Sequence, residues 1–258
     1  MKILFASIHN NEKNIHTLHS NIKNKIICNL KHYECGFIEL HEQKENTLTS
    51  TTVILRKFKQ FIWGAYYNIV LGFSIKHVAM TFIKQLTSAA SYNKKIVNIE
   101  SIVTSKHIKA WQYFIDKTQF DYIIVFESDL IIDETRSVNA LEKLLQEFKR
   151  EKNIYIDLAG GFPVESIMSS TNLYSLNVES NAARKFCCNT ACAYLMSRQL
   201  IINILSTEGK LTEHFPIDFY INYKANTIKN KILCVHPKNR PFGHGSFISG
   251  NNWRDTLR

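Results

Sequence analysis

The sequence predicts an α/β fold, with one mostly parallel, Rossmann-like sheet flanked by helices. Three apolar, β-branched runs, at positions 2–8, 122–126 and 154–158, have the composition of strands buried on both faces. Longer amphipathic stretches separate these runs, and strands that alternate with helices are typical of a sheet covered on both sides. The 258 residues contain no internal repeat and no low-complexity linker, so we expect a single domain over residues 1–258.

The other elements follow from the same two periodicities. The stretch 102–117 predicts a helix with Trp111 and Phe114 on its apolar face, and the stretch 138–149 predicts a second amphipathic helix. Further helices are expected at 12–29, 197–205 and from Pro216 onwards, and further strands at 36–40, 190–195 and 231–235. Strands and helices therefore alternate over most of the chain.

Residues 53–91 differ in composition from the rest of the chain. Basic side chains alternate with large apolar and aromatic ones, as in Arg56-Lys57-Phe58, and the pattern predicts two helices broken near Gly64 or Gly72. Such a helical insertion can pack on the core, or its basic and aromatic face can lie on an anionic membrane. The sequence leaves both interpretations open.

The chain is basic, with a formal net charge of +10. A basic surface favours acidic partners, namely nucleic acid, anionic membranes or phosphorylated small molecules, and the scattered lysines favour a solvated surface. The six cysteines form no C-x-x-C pair, so free thiols in a reducing, cytoplasmic compartment are expected. The longest uncharged stretch, residues 60–75, is shorter than the ~20 residues that span a bilayer, so no transmembrane helix is expected.

Two carboxylates follow the apolar run at 122–126. Glu127 and Asp129 are two positions apart, and in an extended chain side chains with that spacing point to the same side. Open α/β sheets bind ligands beyond the carboxyl ends of their strands. Two carboxylates there can hold a divalent cation that also binds the oxygens of a nucleotide diphosphate. A solvated turn is the alternative interpretation, because acidic pairs are common after strands.

Three segments resemble the family 25 glycosyltransferases, which include bacterial lipooligosaccharide galactosyltransferases and collagen galactosyltransferases. The first runs from Lys106-His107 through Trp111 to Glu127-Ser128-Asp129, where the family has Ser-His, a Trp and a strand ending in Glu-Asp-Asp. Residues 189–197 are similar to a Thr/Ala-rich segment of the family, and Pro216-Ile217-Asp218-Phe219 is similar to its Pro-Val-Asp-Trp element. The order and spacing agree from about residue 100 to 250.

The chain also departs from the family pattern. Lys106 stands where the family has Ser, Ser128 replaces the middle acid, and the Gly-Cys pair just upstream is missing. The first hundred residues resemble the family poorly. The chain therefore resembles a divergent member or a sister family.

The resemblance implies a GT-A fold and an inverting transfer of a sugar from a nucleotide diphosphate sugar, with a UDP-sugar favoured. It implies Mn²⁺ or Mg²⁺ held by Glu127 and Asp129, with Ser128 beside the donor. Asp218 would be the general base that takes the proton of the acceptor hydroxyl, although it could instead only cap its helix or complement the helix dipole. The partners implied are a nucleotide-sugar donor and a cell-surface glycan or glycolipid such as lipooligosaccharide, with no nucleic acid. The enzyme would be cytoplasmic, or peripheral on the inner face of the membrane.

The carboxyl-terminal stretch supplies further candidates. His244 could be a third metal ligand or a diphosphate contact, as in other GT-A enzymes, or part of a plain surface loop. Arg240 and Lys238 are suited to the phosphate oxygens of the donor, and they could equally be ordinary surface charges. Ser246 is a further candidate for binding the donor.

Two other functions use the same features. A metal-dependent nuclease or nucleotidyltransferase would use these acids and the basic surface on nucleic acid, but the sequence shows no second carboxylate cluster for two metals. A noncatalytic, membrane-associated binding protein would use residues 53–91. The acidic pair together with Asp218 favours the sugar transferase.

Overall fold

The structure is a computed structural model. It describes residues 1–9, 15–40, 50–70, 94–161, 168–188, 190–207 and 215–245, with a few isolated positions between these ranges. Ser246, Gly72 and most of the stretch 71–91 lie outside the described residues, and so do the donor contact expected at Ser246 and the second helix expected before residue 91.

Ten strands and six helices are described in full. The strands are β1 (Lys2–Ile8), β2 (Glu34–Leu40), β3 (Tyr122–Glu127), β4 (Leu130–Ile132), β5 (Ile154–Asp157), β6 (Leu173–Ser175), β7 (Ser180–Ala183), β8 (Ala193–Ser197), β9 (Leu233–Pro237) and β10 (Phe242–His244). The helices are α1 (Ile15–Asn21), α2 (Ser50–Val70), α3 (Lys94–Lys117), α4 (Glu134–Phe148), α5 (Arg198–Ser206) and α6 (Ile217–Thr227). A π-helical turn (Ile22–Ile26) and a 3-10 turn (Ile27–Asn29) continue α1.

The α/β class is confirmed, and the sheet is mixed. Its eight strands have the order β2-β1-β3-β8-β5-β9-β7-β6. β1 pairs in parallel with β2 and β3, and β5 pairs in parallel with β9, whereas the four remaining pairs are antiparallel. The expectation of a mostly parallel sheet therefore holds only for the neighbours β2, β1 and β3 and for the pair of β5 and β9. Four residues separate β6 from β7, and a connection that short allows only an antiparallel hairpin.

The central position of β3 is confirmed, because it lies between β1 and β8 with Tyr122 to Phe126 buried. Residues of β1 alternate between two cores, as the period of a strand requires. Leu4 and Ala6 join the core formed with α3, α5 and α6, while Ile3 and Phe5 join the core formed with α1 and α4. The sheet is thus covered by helices on both faces.

The order of the strands reverses at β1. The chain passes from β1 to β2 on one side and then returns to β3 on the other side. Such a switch point opens a crevice at the carboxyl ends of the parallel strands, which is where open α/β sheets bind ligands. The side chains that follow β1 and β3 therefore line the expected binding edge.

Helix α2 runs through Gly64 without the predicted break and continues to Val70. Its inner face is fixed by buried Lys57, whose Nζ lies 3.7 Å from a carboxylate oxygen of Glu100 in α3, and by Trp63, which packs edge-on against Tyr223. Its outer face carries large apolar side chains, each at least 52% exposed: Ile54, Leu55, Phe58, Ile62, Tyr66 and Ile69. We call this set the α2 stripe. Among the described residues, no helix is long and apolar enough to cross a membrane.

Candidate active site

The carboxyl end of β3 is closed over by the carboxyl-terminal part of the described chain. β3 ends at Glu127, a turn at Ser128 and Asp129 follows, and β4 then pairs antiparallel with β10, so that His244 lies opposite Leu130. The backbone N–H of Gly245 donates to the carbonyl oxygen of Asp129 over 2.8 Å. Strand pairing therefore brings His244 to the acidic turn.

Asp129 is the centre of a three-residue cluster with Cys192 and His244. One carboxylate oxygen of Asp129 lies 3.2 Å from Nδ1 of His244, and the other accepts a hydrogen bond from the Cys192 thiol at 3.3 Å. One donor atom from each residue lies within 4.8 Å of the other two. We call these three residues the Asp129 cluster.

The close approach of Gly245 to Asp129 requires a glycine. A Cβ atom on Gly245 would lie 2.7 Å from the carbonyl oxygen of Asp129, closer than side-chain carbons approach backbone. Because that oxygen belongs to the backbone of the turn, it cannot rotate away as a side chain can. Gly245 therefore lets the carboxyl-terminal segment reach the Asp129 cluster.

Cys192 belongs to the cluster although the sequence favours a free buried thiol at this position, since Cys192 is part of no C-x-x-C pair. Burial raises the pKa of its thiol well above the ordinary value, and the charges of Asp129 and Glu127 raise it further. The thiol is therefore protonated at neutral pH and donates to Asp129. A cysteine just before an apolar strand has the composition of a core residue, so no sequence pattern distinguishes it.

The Asp129 cluster fits a divalent transition metal. Asp129 offers a carboxylate oxygen and His244 an imidazole nitrogen, while the protonated Cys192 thiol binds hard metals poorly. A mixed oxygen and nitrogen set suits Mn²⁺ better than Mg²⁺, which takes oxygen ligands almost alone. The expected ligands Asp129 and His244 are thus brought together, and Glu127 is not among the grouped donors.

The carboxylate of Glu127 is turned towards His107 instead. Its Oε1 accepts a hydrogen bond from Nε2 of His107 at 3.1 Å, and Nδ1 of His107 accepts one from the Tyr194 hydroxyl at 2.7 Å. Burial lowers the pKa of His107 to about 3, so the ring is neutral and the contact with Glu127 is a hydrogen bond rather than an ion pair. The direction of both bonds follows, because only a Nε2–H tautomer satisfies a carboxylate at one nitrogen and a hydroxyl at the other.

Asp218 lies in the first turn of α6. The N-cap position is occupied by Pro216, which has no side-chain capping bond, and the Asp218 carboxylate accepts the backbone N–H of Phe219 at 2.9 Å. Asp218 is therefore not the N-cap, although its charge suits the positive end of the helix. Burial raises its pKa to about 6, and the carboxylates of Glu100 and Glu127 add to the rise. Asp218 therefore lies within electrostatic reach of Glu127 at the end of β3.

Arg240 is held at the carboxyl end of β5. Its guanidinium lies 3.6 Å from buried Asp157 and donates to the carbonyl oxygen of Gly160 at 3.2 Å. Asp157 also accepts from the backbone N–H of Gly160 and lies 3.4 Å from Nδ1 of His236. Arg240 is therefore fixed by the loop after β5 at the same edge of the sheet as the acids.

A cavity lies at the opposite edge. It has a volume of about 700 Å³ and contacts residues that precede the parallel strands or end β8, such as Met1, Asp121 and Ser197. Several of its lining residues are basic: Lys149, Arg150, Lys152 and Arg198. Because it faces the amino ends of β1 and β3, it is separate from the Asp129 cluster.

The sequence matches no protein family model and no curated protein. Among solved structures, the chain is similar to one titled "Crystal Structure of A197 from STIV", with 8% sequence identity and a TM-score of 0.41. The match covers 94% of this chain and 83% of that chain. A TM-score of 0.41 at 8% identity indicates neither a family nor a function for this chain.

Proposed function

We propose that this chain is a metal-assisted glycosyltransferase that moves a sugar from a nucleotide diphosphate sugar to a hydroxyl of a glycan or glycolipid. The observation that carries the proposal is the pairing of Asp129 with His244 just after β3, together with a partly buried carboxylate, Asp218, whose pKa is raised in part by the charge of Glu127 at the end of β3. A metal ligand pair and a carboxylate with a pKa of about 6 are the two groups that a single displacement at a sugar carbon needs.

Asp129 and His244 would hold Mn²⁺ at the Asp129 cluster. When bound, the ion supplies Lewis-acid stabilisation of the negative charge on the departing nucleotide diphosphate. Asp129 is well placed as a fixed ligand, because its backbone oxygen is bound by Gly245 and its side chain by Cys192. Arg240, held by Asp157 and Gly160, is suited to the same phosphate oxygens, since a guanidinium binds phosphate through two parallel N–H groups.

Asp218 would accept the proton of the acceptor hydroxyl as that oxygen attacks the sugar. With a pKa of about 6, roughly nine tenths of the carboxylates are ionised at pH 7, yet the group is a stronger base than a solvated aspartate. Glu100 and Glu127 support this role, because their negative charges add to the effect of burial on the pKa of Asp218. His107 holds the Glu127 carboxylate in one orientation through a neutral hydrogen bond.

The α2 stripe favours an acceptor at a membrane surface. Leu55, Phe58, Ile62, Tyr66 and Ile69 follow each other at intervals of three or four residues, so they form one continuous apolar face. The sequence of α2 contains no acidic residue and three basic ones, of which Lys57 is buried against Glu100. The absence of acidic residues suits an interfacial helix on anionic lipid. A glycolipid acceptor would be reached from that position.

The metal-dependent nuclease or nucleotidyltransferase is less well supported. Such enzymes commonly clamp the phosphate between two metal ions about 4 Å apart. In the described part of the chain, the two groups that could hold a metal share no residue, so no carboxylate belongs to both of them. A single metal with a separate base suits glycosyl transfer better.

A thermal-shift screen with UDP-, GDP- and CMP-sugars, each with and without Mn²⁺, tests the proposal. At one hundred times its dissociation constant, a donor stabilises the folded chain by about 2.7 kcal/mol, which corresponds to a rise in Tm of about 5–10 °C for a chain of this size. The rise should require Mn²⁺ and be absent in Asp129→Asn. Stabilisation by single-stranded nucleic acid with metal-dependent cleavage, and none by any nucleotide sugar, would replace the proposal with the nuclease.

A further inference from the structure

A second group of metal-ligand side chains lies at the carboxyl ends of β1 and β2. His9 directly follows β1, Glu39 is the penultimate residue of β2, and His19 projects from α1. Both imidazoles are 5% exposed, whereas the Glu39 side chain is 39% exposed. The group therefore opens to solvent on the carboxylate side only.

The donor atoms are almost close enough to bind one ion. They lie within 4.8 Å of one another, so one point lies within about 2.8 Å of all three. Zinc bonds to nitrogen and oxygen are about 2.0–2.2 Å long, so each donor must move inwards by less than about 1 Å. The Nδ1 atom of His19 already lies 3.2 Å from Oε1 of Glu39, close to the separation of about 3.3 Å between two ligands of a tetrahedral ion.

Ser7 gives His19 the outer partner that a metal-binding imidazole needs. Its buried hydroxyl lies 2.7 Å from Nε2 of His19, on the side of the ring away from Glu39. Without a metal, Nδ1–H donates to Glu39 and Nε2 accepts from the hydroxyl. With a metal on Nδ1, Nε2–H donates to the same hydroxyl, as the second nitrogen of a ligating histidine commonly does. One tautomer change therefore keeps both ring nitrogens satisfied.

The surrounding charges allow a cation at this place. The ammonium group of Lys23 lies 3.5 Å from the same Glu39 oxygen, and its side chain is 48% exposed, so it can withdraw into solvent when an ion binds. The ammonium group of Lys106 donates a hydrogen bond to the backbone oxygen of His9, so it is held at the backbone of that residue.

We propose that His9, His19 and Glu39 form a second metal site, which binds a zinc-class divalent ion through two imidazoles and one carboxylate and leaves a fourth position open to solvent. Imidazole ligands select zinc, copper, nickel or iron over magnesium and calcium. Three protein ligands with one open position are the arrangement of reactive rather than purely structural zinc sites. This site does not depend on the glycosyl transfer proposed for the Asp129 cluster, since the two groups share no residue.

Equilibrium dialysis of the chelator-treated full-length chain against Zn²⁺, followed by metal analysis, tests the site without an activity assay. The wild-type chain should bind one more Zn²⁺ per molecule than Glu39→Ala and Glu39→Gln, whatever the Asp129 cluster binds. Ser7→Ala should weaken that one equivalent by about 10–100-fold, as loss of an outer-shell partner does. Asp129→Asn should leave it unchanged.

Glu34→Ala is the matched control, because Glu34 lies in the same strand, is 60% exposed and pairs with Lys2 at the other end of β2. It should bind as much Zn²⁺ as the wild-type chain. Glu39 is partly exposed and its amide variant keeps its shape, so at least one of the two Glu39 variants will fold. Equal Zn²⁺ binding by the wild-type chain and a folded Glu39 variant, or no binding by the wild-type chain, would overturn the proposal.

Discussion

Asp218→Asn separates a catalytic carboxylate from a structural one by the sign of its effect on stability. Burial raises the pKa of Asp218 from its ordinary value of 3.8 to about 6. Because the folded pKa is the higher one, the stabilising contribution of the protonated group is fully present below about pH 4. It is lost as the pH rises through 6. At pH 7 the ionised group therefore destabilises the fold by about 3 kcal/mol.

An asparagine of the same size removes the charge but still needs hydrogen bonds in a partly buried place. We therefore expect a gain of about 1–2 kcal/mol in the free energy of unfolding, which raises Tm by about 2–8 °C. If Asp218 is the base, transfer should fall by about 10²–10⁴-fold, while binding of donor and Mn²⁺ is retained. In the wild-type enzyme, activity should decline about tenfold per pH unit below pH 6, because the base becomes protonated.

The assay is release of the nucleotide from the donor sugar, measured beside a thermal melt at pH 7. Asp133→Asn is the matched control, because Asp133 is exposed, caps α4 through the N–H of Arg136, and is replaced by an equally good cap. It should change neither quantity. Normal turnover in Asp218→Asn together with a lower Tm would show that the carboxylate is structural and that the base lies elsewhere.

Three further predictions concern other parts of the molecule. Asp129→Asn should lower Mn²⁺-dependent transfer by at least tenfold with little change in Tm, and activity that survives both this change and excess chelator would exclude a metal at the cluster. Ile62→Glu in the α2 stripe should abolish flotation with anionic vesicles, whereas Val178→Glu, at a more exposed apolar position elsewhere, should not; equal flotation of both would assign α2 no membrane role. Gly160→Ala should lower the free energy of unfolding by about 1–3 kcal/mol. Gly160 has a φ of +23°, and a Cβ there would lie 2.5 Å from the guanidinium carbon of Arg240. An unchanged melting curve would show that alanine is accommodated at this position without strain.

The parts of the fold that the sequence predicted are those set by local pattern. β3 was predicted because a β-branched apolar run can be satisfied only by burial on both faces, and the helix after Ser197 begins where the serine caps it. The direction of β8 was not predictable in this way. The same apolar run can pair in either direction, and only its neighbours β3 and β5 fix it as antiparallel.

The site was predictable only in the residues that lie close in sequence. Glu127 and Asp129 could be placed at the end of β3. The orientation of the Glu127 carboxylate could not, because it depends on a hydrogen bond from the buried, neutral ring of His107. The group formed by His9, His19 and Glu39 was not predicted, because its members are ten and twenty positions apart in the sequence. Residues with such spacing form no short motif.

The proximity of His244 to Asp129 was also a tertiary outcome. His244 was a candidate ligand from its type and its glycine neighbours alone. The pairing of β4 with β10 is what brings its ring to Asp129, and three-residue strands give too weak a pattern to predict their partner. The exposed face of α2 was predicted only in part. Aromatic and apolar residues do lie on it, as expected, but Lys57 is buried against Glu100 instead of lying on that face.

Because β4 pairs with β10, the last described strand, the Asp129 cluster can form only after nearly all of the described chain has been synthesised. Asp129 and His244 are 115 positions apart in the sequence, and only four residues separate the end of β9 from the start of β10. A nascent chain that has reached β9 can already form the eight-stranded sheet, yet it lacks the imidazole opposite Asp129. If the Asp129 cluster holds the proposed metal, chains that end before β10 would lack one of its two ligands and should be inactive.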